Sequence, residues 1–287
     1  MSVQIGVIYP QTELPTDPAT VRSYVTEAES LGYHHVVAYD HVLGADPSVH
    51  AGWSGPYDID TPFHEPLVLF GFLAGITRME LAPGIVIAPQ RQTALLAKQA
   101  AEVDVLAEGR FRLGVGTGWN RVEYDALGQD FHTRGRRLEE QVGLLRKLWT
   151  ERSVNFEGHF DSVRGAGLAP LPAQRPIPIW MGASSPAAFE RIGRVADGWF
   201  PMMAPGDRLT EALRHVSAGA ERTGRDPAVI GMEGRIPANG DAARFADKWR
   251  EVGATHLSVD TMRAGHSDLS SHLEALASTA RSLDLTS

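Results

Sequence analysis

The segment FRLGVGTGWNRVEY, residues 111–124, presents a choice between two α/β folds. An apolar run leads through three glycines, at 114, 116 and 118, to Trp119 and Asn120. Glycines that follow a strand allow a backbone to approach a phosphate or a flat ring closely. The segment is therefore either the dinucleotide fingerprint of a doubly wound domain or the end of a barrel strand.

The dinucleotide interpretation fits the surrounding sequence poorly. That fingerprint opens a helix directly and places an acidic ribose ligand roughly 20 residues later, at the end of the next strand. Here no helix is predicted before Arg134, and Glu139 and Glu140 lie on a predicted helix. Two interpretations of the glycines stay open. They form a tight turn only, or they lie against a flat ring with Thr117 and Asn120 as polar neighbours.

Strand-like and helical patterns alternate along the whole chain. Strands are predicted at residues 3–9, 35–39, 80–88, 110–115, 177–182, 198–202, 229–233 and 256–260. Amphipathic helices are predicted at residues 18–31, 65–76, 92–107, 134–150, 185–195, 207–223, 240–252 and 268–284. Several strands are continuous apolar runs, as expected when both faces of a parallel sheet are covered. Eight such pairs predict an α/β fold, a (β/α)8 TIM barrel, with residues 1–287 as a single domain.

Two segments interrupt this repeat. Residues 42–64 form a long loop after the second strand, and residues 151–176 form an excursion after the fourth helix, with a short strand at 154–156. Long irregular loops in compact domains are usually functional or disordered. Because the first segment follows a strand, we expect it at the C-terminal end of the barrel, where active sites lie.

Composition narrows the possible partners. The 287 residues carry a formal net charge of -8 and no cysteine, which argues against a nucleic-acid or anionic-membrane surface and excludes disulfides. No apolar stretch has transmembrane length, and the first residues lack a signal-peptide pattern. Apart from the adjacent His34 and His35, the histidines show no ligand spacing, so we expect no metal. The expectation is a cytoplasmic protein that acts on a small molecule.

Two other segments carry candidate site residues. In PIWMGASSPAAFERI, residues 178–192, small residues between a strand and a helix leave backbone N–H groups free for an anion. A well-capped helix explains that pattern equally well. In AYDHV, residues 38–42, Asp40 and His41 end a strand and could donate hydrogen bonds or move protons. Such a pair is more often structural.

Taken together, these residues resemble the bacterial luciferase-like flavin and deazaflavin oxidoreductases. The matching stretches are AESLGYHHVVAYDHV (28–42), PFHEPLVLFGFLAGIT (62–77), LAPGIVIAPQRQTALLAKQAAEVDVLAEGRFRLGVGTGWNRVEYDALGQDF (81–131), RGRRLEEQVGLLRKLWTE (134–151) and PIPIWMGASSPAAFERIGRVADGWFP (176–201). The resemblance implies a luciferase-like barrel that binds an isoalloxazine-type ring at the C-terminal strand ends. The branch that uses the deazaflavin coenzyme F420 is the most similar, with FMN as the alternative, and a homodimer is implied.

The resemblance also assigns roles to particular residues. It implies a non-prolyl cis peptide near Gly84–Ile85 behind the ring, and His41 as the candidate catalytic proton donor. The residues implied to contact the cofactor or its phosphate are Asp40, His41, Gly84, Ile85, Thr117, Gly118, Asn120, Gly182, Ala183 and Ser184.

One departure from the family pattern affects the reaction. Sugar-phosphate dehydrogenases of the F420 branch carry a catalytic glutamate directly after the GTG, whereas this chain has Trp119. Because tryptophan cannot exchange that proton, we expect hydride transfer to or from a small apolar or aromatic substrate instead. Three alternatives remain: an oxygen-inserting monooxygenase that uses reduced FMN, a non-redox barrel acting on a phosphorylated ligand, and a protein that binds the cofactor without turnover.

Overall fold

The computed structural model describes residues 3–285. Its strands are β1 (Gln4–Ile8), β2 (His35–Ala38), β3 (Glu80–Pro83), β4 (Val86–Ile87), β5 (Leu113–Gly116), β6 (Val154–Glu157), β7 (Ser162–Ala166), β8 (Ile179–Ala183), β9 (Gly198–Pro201), β10 (Gly231–Pro237) and β11 (His256–Asp260). Its helices are α1 (Pro18–Ser30), α2 (Pro66–Leu73), α3 (Thr93–Leu106), α4 (Arg121–Ala126), α5 (Arg134–Thr150), α6 (Pro186–Val195), α7 (Asp207–Glu221), α8 (Ala242–Glu251) and α9 (Leu269–Ser282).

The strands form a parallel barrel. Nine of them pair in the order β3-β2-β1-β11-β10-β9-β8-β5-β4, and a parallel bridge between Leu81 and Phe111 joins the two ends of this order. Strands β3 and β4 are two halves of one barrel strand, so eight strands surround the axis. Strands β2 and β5 are buried throughout, which explains their apolar composition. The predicted (β/α)8 barrel is confirmed.

Most predicted strands differ from the observed ones by one or two residues, and three differ more. The strand predicted at 80–88 is interrupted by a cis peptide between Gly84 and Ile85, which the family resemblance implied. The strand predicted to start at 110 begins at Leu113. The strand predicted at 229–233 begins at Gly231 and continues to Pro237. It starts later because Pro227–Val229 forms a 3-10 turn, capped by the side chain of Asp226.

A short helix was missed directly after the glycine segment. The Asn120 side chain accepts hydrogen bonds from the backbone N–H groups of Val122 (3.0 Å) and Glu123 (3.4 Å) and so starts α4. The expectation of no helix before Arg134 was therefore wrong. The barrel topology, and not the absence of a helix, is what excludes a doubly wound dinucleotide domain.

The two interrupting segments differ in structure. Residues 42–64 contain neither helix nor strand. The excursion contains the antiparallel pair of β6 and β7, so the strand predicted at 154–156 is confirmed and has a partner. The Glu140 carboxylate fixes this hairpin to α5 by accepting hydrogen bonds from the backbone N–H groups of His159, Phe160 and Asp161, at 2.7, 2.8 and 2.8 Å.

Between Val3 and Leu285, no helix combines the length and the apolar character needed to cross a bilayer.

Candidate functional site

A cavity of about 370 Å³ lies at the C-terminal ends of the barrel strands. Several strands contribute to its wall: Tyr39 follows β2, Gly84 and Ile85 lie between β3 and β4, Arg235 is on β10 and Asp260 is on β11. Active sites of (β/α)8 enzymes occupy this end of the barrel because the βα loops meet there. The cavity is the strongest candidate for the site.

His41 lines this cavity and is held by a buried carboxylate. Its Nδ1 lies 3.3 Å from Oε1 of Glu123. The same oxygen accepts hydrogen bonds from the backbone N–H groups of Val42 (2.6 Å) and Leu43 (3.1 Å), and Gln90 donates to Oε2 at 3.3 Å. Burial alone would raise the pKa of Glu123, but the hydrogen bonds from His41 and this backbone outweigh it and lower the pKa.

The ionised Glu123 determines which ring nitrogen of His41 carries a proton. A carboxylate only accepts hydrogen bonds, so Nδ1 of His41 carries the proton that points to Glu123. The second nitrogen, Nε2, lies on the other side of the ring and is not used by Glu123. One tenth of the His41 side chain is exposed.

Asp40 has a different environment from His41. Its carboxylate accepts two hydrogen bonds from Arg91, at 2.7 and 3.0 Å, and one from the backbone N–H of Ile87 at 2.9 Å. Burial raises the pKa of Asp40, although the Arg91 guanidinium partly offsets this effect. Asp40 lines the cavity, yet its oxygens are occupied in holding β4 and Arg91 in place.

Aromatic rings from the long loop and from the glycine segment surround His41. Its ring centroid lies 5.2 Å from that of Tyr57, 4.8 Å from Phe63 and 5.5 Å from Trp119. Trp119 in turn lies 5.5 Å from Trp53, and it remains 40% exposed. Residues 42–64 therefore supply part of the wall at the C-terminal end of the barrel, where the sequence placed them.

The glycine segment divides into two parts. Gly118 and Trp119 line the cavity. Gly118 has a φ of +63°, and an added Cβ would lie 2.9 Å from Ile87, so this backbone requires glycine on its own account. Asn120 is buried, and besides capping α4 it donates to the carbonyl of Leu43 at 3.1 Å. Its side chain braces the long loop and does not line the main cavity.

Thr117, at the end of β5, is not part of the main cavity wall either. Its backbone carbonyl accepts a 2.6 Å hydrogen bond from the Tyr124 hydroxyl, which fixes the end of β5 to α4. The structure thus brings Asp40, His41, Gly84, Ile85 and Gly118 together around one cavity, whereas Thr117 and Asn120 support it from outside.

The predicted anion loop lies at the end of β8. Ser184 and Ser185 are exposed, and α6 begins at Pro186. Within residues 3–285, Ser185 makes no side-chain capping hydrogen bond, so the first N–H groups of α6 are available to an anion. Gly182 lines a small inner cavity of about 50 Å³ that also borders Ile85. The wall of the main cavity does not include Ala183 or Ser184.

The residues present fit an isoalloxazine-type ring and a second small molecule. The Tyr39 hydroxyl is buried and has no hydrogen-bond partner among the described residues, so it is available to a polar ring atom. A second cavity of about 350 Å³ adjoins the first and shares Met202, Arg235 and Asp260 with it. Two adjacent volumes of this size provide room for a cofactor ring and a substrate.

The opposite end of the barrel holds a buried charge cluster that the sequence did not predict. His35 Nε2 lies 3.1 Å from Glu233, and Arg112 pairs with Glu233 at 2.5 Å and with Glu80 at 2.8 Å. Burial alone would raise the pKa of Glu233, but Arg112 and His35 hold it far below its usual range. Ligating atoms of His34, His35 and Glu80 lie within 4.8 Å of one another, although Arg112 already occupies Glu80. Strand starts at this end stabilise the barrel and do not form its active site.

Comparisons with known proteins agree with this fold. Residues 3–252 match the family model of the luciferase-like monooxygenases. An F420-dependent glucose-6-phosphate dehydrogenase from Segniliparus rotundus is 31% identical over 79% of this chain and 66% of its own length. Two solved structures share the fold: an F420-dependent secondary alcohol dehydrogenase bound to an F420-acetone adduct (TM-score 0.76, 16% identity, 100% of each chain) and a monooxygenase from Streptomyces bottropensis (TM-score 0.75, 19% identity, 97% and 98%). The chain belongs to the luciferase-like monooxygenase family.

Proposed function

We propose that the protein is an oxidoreductase that transfers a hydride between coenzyme F420 and a small apolar or aromatic substrate. Reduction of a C=C, C=O or imine bond is the favoured direction. The observation that carries the proposal is the position of His41 beside Glu123 in the wall of a cavity that also includes Gly84 and Ile85. The curated relative with the F420-dependent activity supports the choice of cofactor.

The cofactor would be held by residues from several strands. Gly84, Ile85 and Gly118 would border the ring, and the Tyr39 hydroxyl would meet one of its polar atoms. The loop of Gly182, Ala183 and Ser184 would hold the phosphate. When bound, the deazaflavin supplies or accepts a hydride at its C5 atom.

His41 is the residue that we assign to proton transfer. Protonated at Nε2, it donates to the substrate atom that becomes basic as the hydride arrives. Glu123 positions the ring and stabilises the imidazolium through Nδ1. Trp119 and Tyr57 exclude water from one side of His41 and offer an aromatic surface to the substrate.

Trp119 separates the proposed reaction from sugar-phosphate oxidation. Its indole cannot exchange the proton that a glutamate at this position would handle, and it stands next to the ring of His41. We therefore propose a substrate other than glucose 6-phosphate, although the Segniliparus relative acts on that sugar phosphate.

The second candidate is oxygen insertion with reduced FMN. The family name and the monooxygenase from Streptomyces bottropensis favour it, and the latter resembles this chain in fold. A homodimer and a cytoplasmic location remain predictions. For the homodimer, Val68 and Phe72 of α2 and Leu95 of α3 offer exposed apolar side chains.

The proposed function is tested by titrating the purified protein with F420 and with FMN, following cofactor fluorescence. We expect saturable F420 binding that exceeds FMN binding by tenfold or more, on the order of 1.4 kcal/mol. Met202→Trp, which fills the space between the two cavities, should weaken F420 binding. Val229→Trp, at an exposed apolar residue before β10, is the matched control. Tight FMN binding without F420 binding would contradict the proposal.

A further inference from the structure

The main cavity has two chemically different ends. Tyr57 and Trp119 form an aromatic end beside His41. Arg235 and Arg263 lie in the wall contributed by β10 and by the loop after β11, together with Asp260. A substrate that fills the cavity meets an aromatic surface and a cationic surface at once.

Among residues 3–285, the Arg235 side chain makes one loose ion pair, with Asp260, and no hydrogen bond. Its Nη1 lies 3.7 Å from Asp260 Oδ2, beyond hydrogen-bond distance, and about half of the side chain is exposed. The guanidinium lies 5.6 Å from the ring centre of Tyr39, whose buried hydroxyl has no partner among the described residues. Arg235 and Tyr39 can therefore both donate hydrogen bonds to a ligand in the cavity.

Backbone hydrogen bonds hold Arg263 at the wall of the main cavity. Its N–H donates to Glu13 at 2.8 Å, and the N–H of Met262 donates to Asp260 at 2.9 Å, so two carboxylates fix the loop after β11. Within residues 3–285 the Arg263 guanidinium has no hydrogen bond or ion pair, and it lines the cavity. The loop therefore holds an unpaired positive charge at the cavity wall.

The charges at this end favour a singly charged anion. The wall contains two guanidinium groups, those of Arg235 and Arg263, and two carboxylates, those of Asp40 and Asp260, whereas Glu13 lies outside it. Arg91 already neutralises Asp40, and Glu123 faces His41. One net positive charge matches a carboxylate better than a phosphate dianion, and planar guanidinium groups suit its two oxygens.

We propose that Arg235 and Arg263 bind a carboxylate group of the substrate, so the preferred substrate is an aromatic or cyclic carbonyl compound that carries a carboxylate. This proposal rests on the proposed function for the hydride transfer, but the anion site can be tested without it. The acidic tail of F420 offers the same chemistry, and the experiment must distinguish the two sources.

The test uses benzoate and benzamide as probes of the cofactor-free protein, with tryptophan fluorescence as the readout, since Trp119 lines the cavity and Trp53 packs against Trp119. We expect benzoate to bind about tenfold more tightly than benzamide, with the preference reduced when salt rises from about 0.05 to about 0.5 M. Arg235→Met and Arg263→Met keep the side-chain length and should abolish the preference. Arg78→Met, at an exposed arginine paired with Glu108, should leave it unchanged.

F420 titration of the same variants separates the outcomes. If Arg235→Met and Arg263→Met abolish the benzoate preference and leave F420 affinity within about threefold, the carboxylate site belongs to the substrate. If they weaken F420 binding and leave the benzoate preference intact, the site belongs to the cofactor tail and the proposal is wrong. A benzoate preference in a protein that does not bind F420 would support the anion site and contradict the proposed function. Thermal unfolding of each variant confirms that it is folded.

Discussion

Two histidine–glutamate pairs flank the same strand, β2, and they have opposite environments. His35 at its start lies 3.1 Å from Glu233, and His41 just after its end lies 3.3 Å from Glu123. The pair of His35 and Glu233, here the lower pair, is buried and enclosed by Arg112. The pair of His41 and Glu123, here the upper pair, has an imidazole that lines the main cavity. The same two side-chain types therefore form a closed charge cluster at one end of the barrel and border a cavity at the other.

The two pairs differ in whether a ligand can reach the imidazole. Arg112 and Ser258 share the Glu233 carboxylate with His35, which leaves no room for a ligand. In the upper pair, Glu123 binds the backbone of the long loop and only one nitrogen of His41. Breaking a buried charge cluster costs much free energy, whereas a histidine with one free nitrogen can exchange protons with a ligand.

Removing the charge of Glu233 in the lower pair should have the largest effect on stability. Glu233→Gln leaves the guanidinium of Arg112 buried with less compensation, which we expect to lower the free energy of unfolding by about 3–5 kcal/mol. Urea denaturation measures this value, and F420 titration of the folded fraction should give an unchanged affinity. A loss of stability below about 0.5 kcal/mol would show that the lower pair does not hold the barrel together.

The matching change in the upper pair should affect turnover more than stability. Glu123→Gln keeps the side-chain shape but places an amide beside Nδ1 of His41, so the ring loses its counter-charge and its fixed tautomer. We expect kcat to fall by about 100-fold with a changed pH profile, and the free energy of unfolding to fall by about 1–2 kcal/mol. Equal kcat values and pH profiles in the two proteins would exclude a positioning role for Glu123.

A smaller effect concerns His256, which lies beside His35 with ring centroids 5.6 Å apart. Burial, Arg112 and His35 lower the pKa of His256 to about 3 from its usual value of 6.5. Below pH 6.5 the unfolded chain therefore binds a proton that the folded protein does not, and stability falls by up to about 1.4 kcal/mol per pH unit. His256→Asn removes this contribution, so its free energy of unfolding should change less between pH 7 and pH 5. Identical slopes would mean that His256 is protonated in the folded state.

The sequence predicted the barrel because hydrophobic periodicity is a local signal. The interruption at Gly84–Ile85 came only from the family resemblance, since APGIVIAP reads as one apolar strand. Helix α4 was missed because it is short, although Asn120 followed three residues later by Glu123 resembles a capping pattern that could have revealed it. A local pattern does not reveal that Glu123 pairs with His41, because His41 is 82 residues away in the chain.

Neighbouring residues with different environments were likewise hard to distinguish from the sequence. Asp40 and His41 are neighbours in sequence, yet one is held by Arg91 and the other by Glu123. The charges buried at Arg112 and Glu233 carry no sequence signal, because each lies within an apolar strand context and its partner comes from a distant strand. Long-range pairing of this kind follows from the closure of the barrel and not from local pattern.

Hydride transfer at the C-terminal end of the barrel can be followed with an isotope label. The protein is mixed with reduced F420 deuterated at C5 and a cyclic enone that carries a carboxylate, in the presence of oxygen. We predict reoxidation of the cofactor with one deuterium in the reduced product and no oxygen consumption. Absence of deuterium transfer, together with oxygen consumption and oxygen incorporation when reduced FMN is supplied instead, would contradict the account.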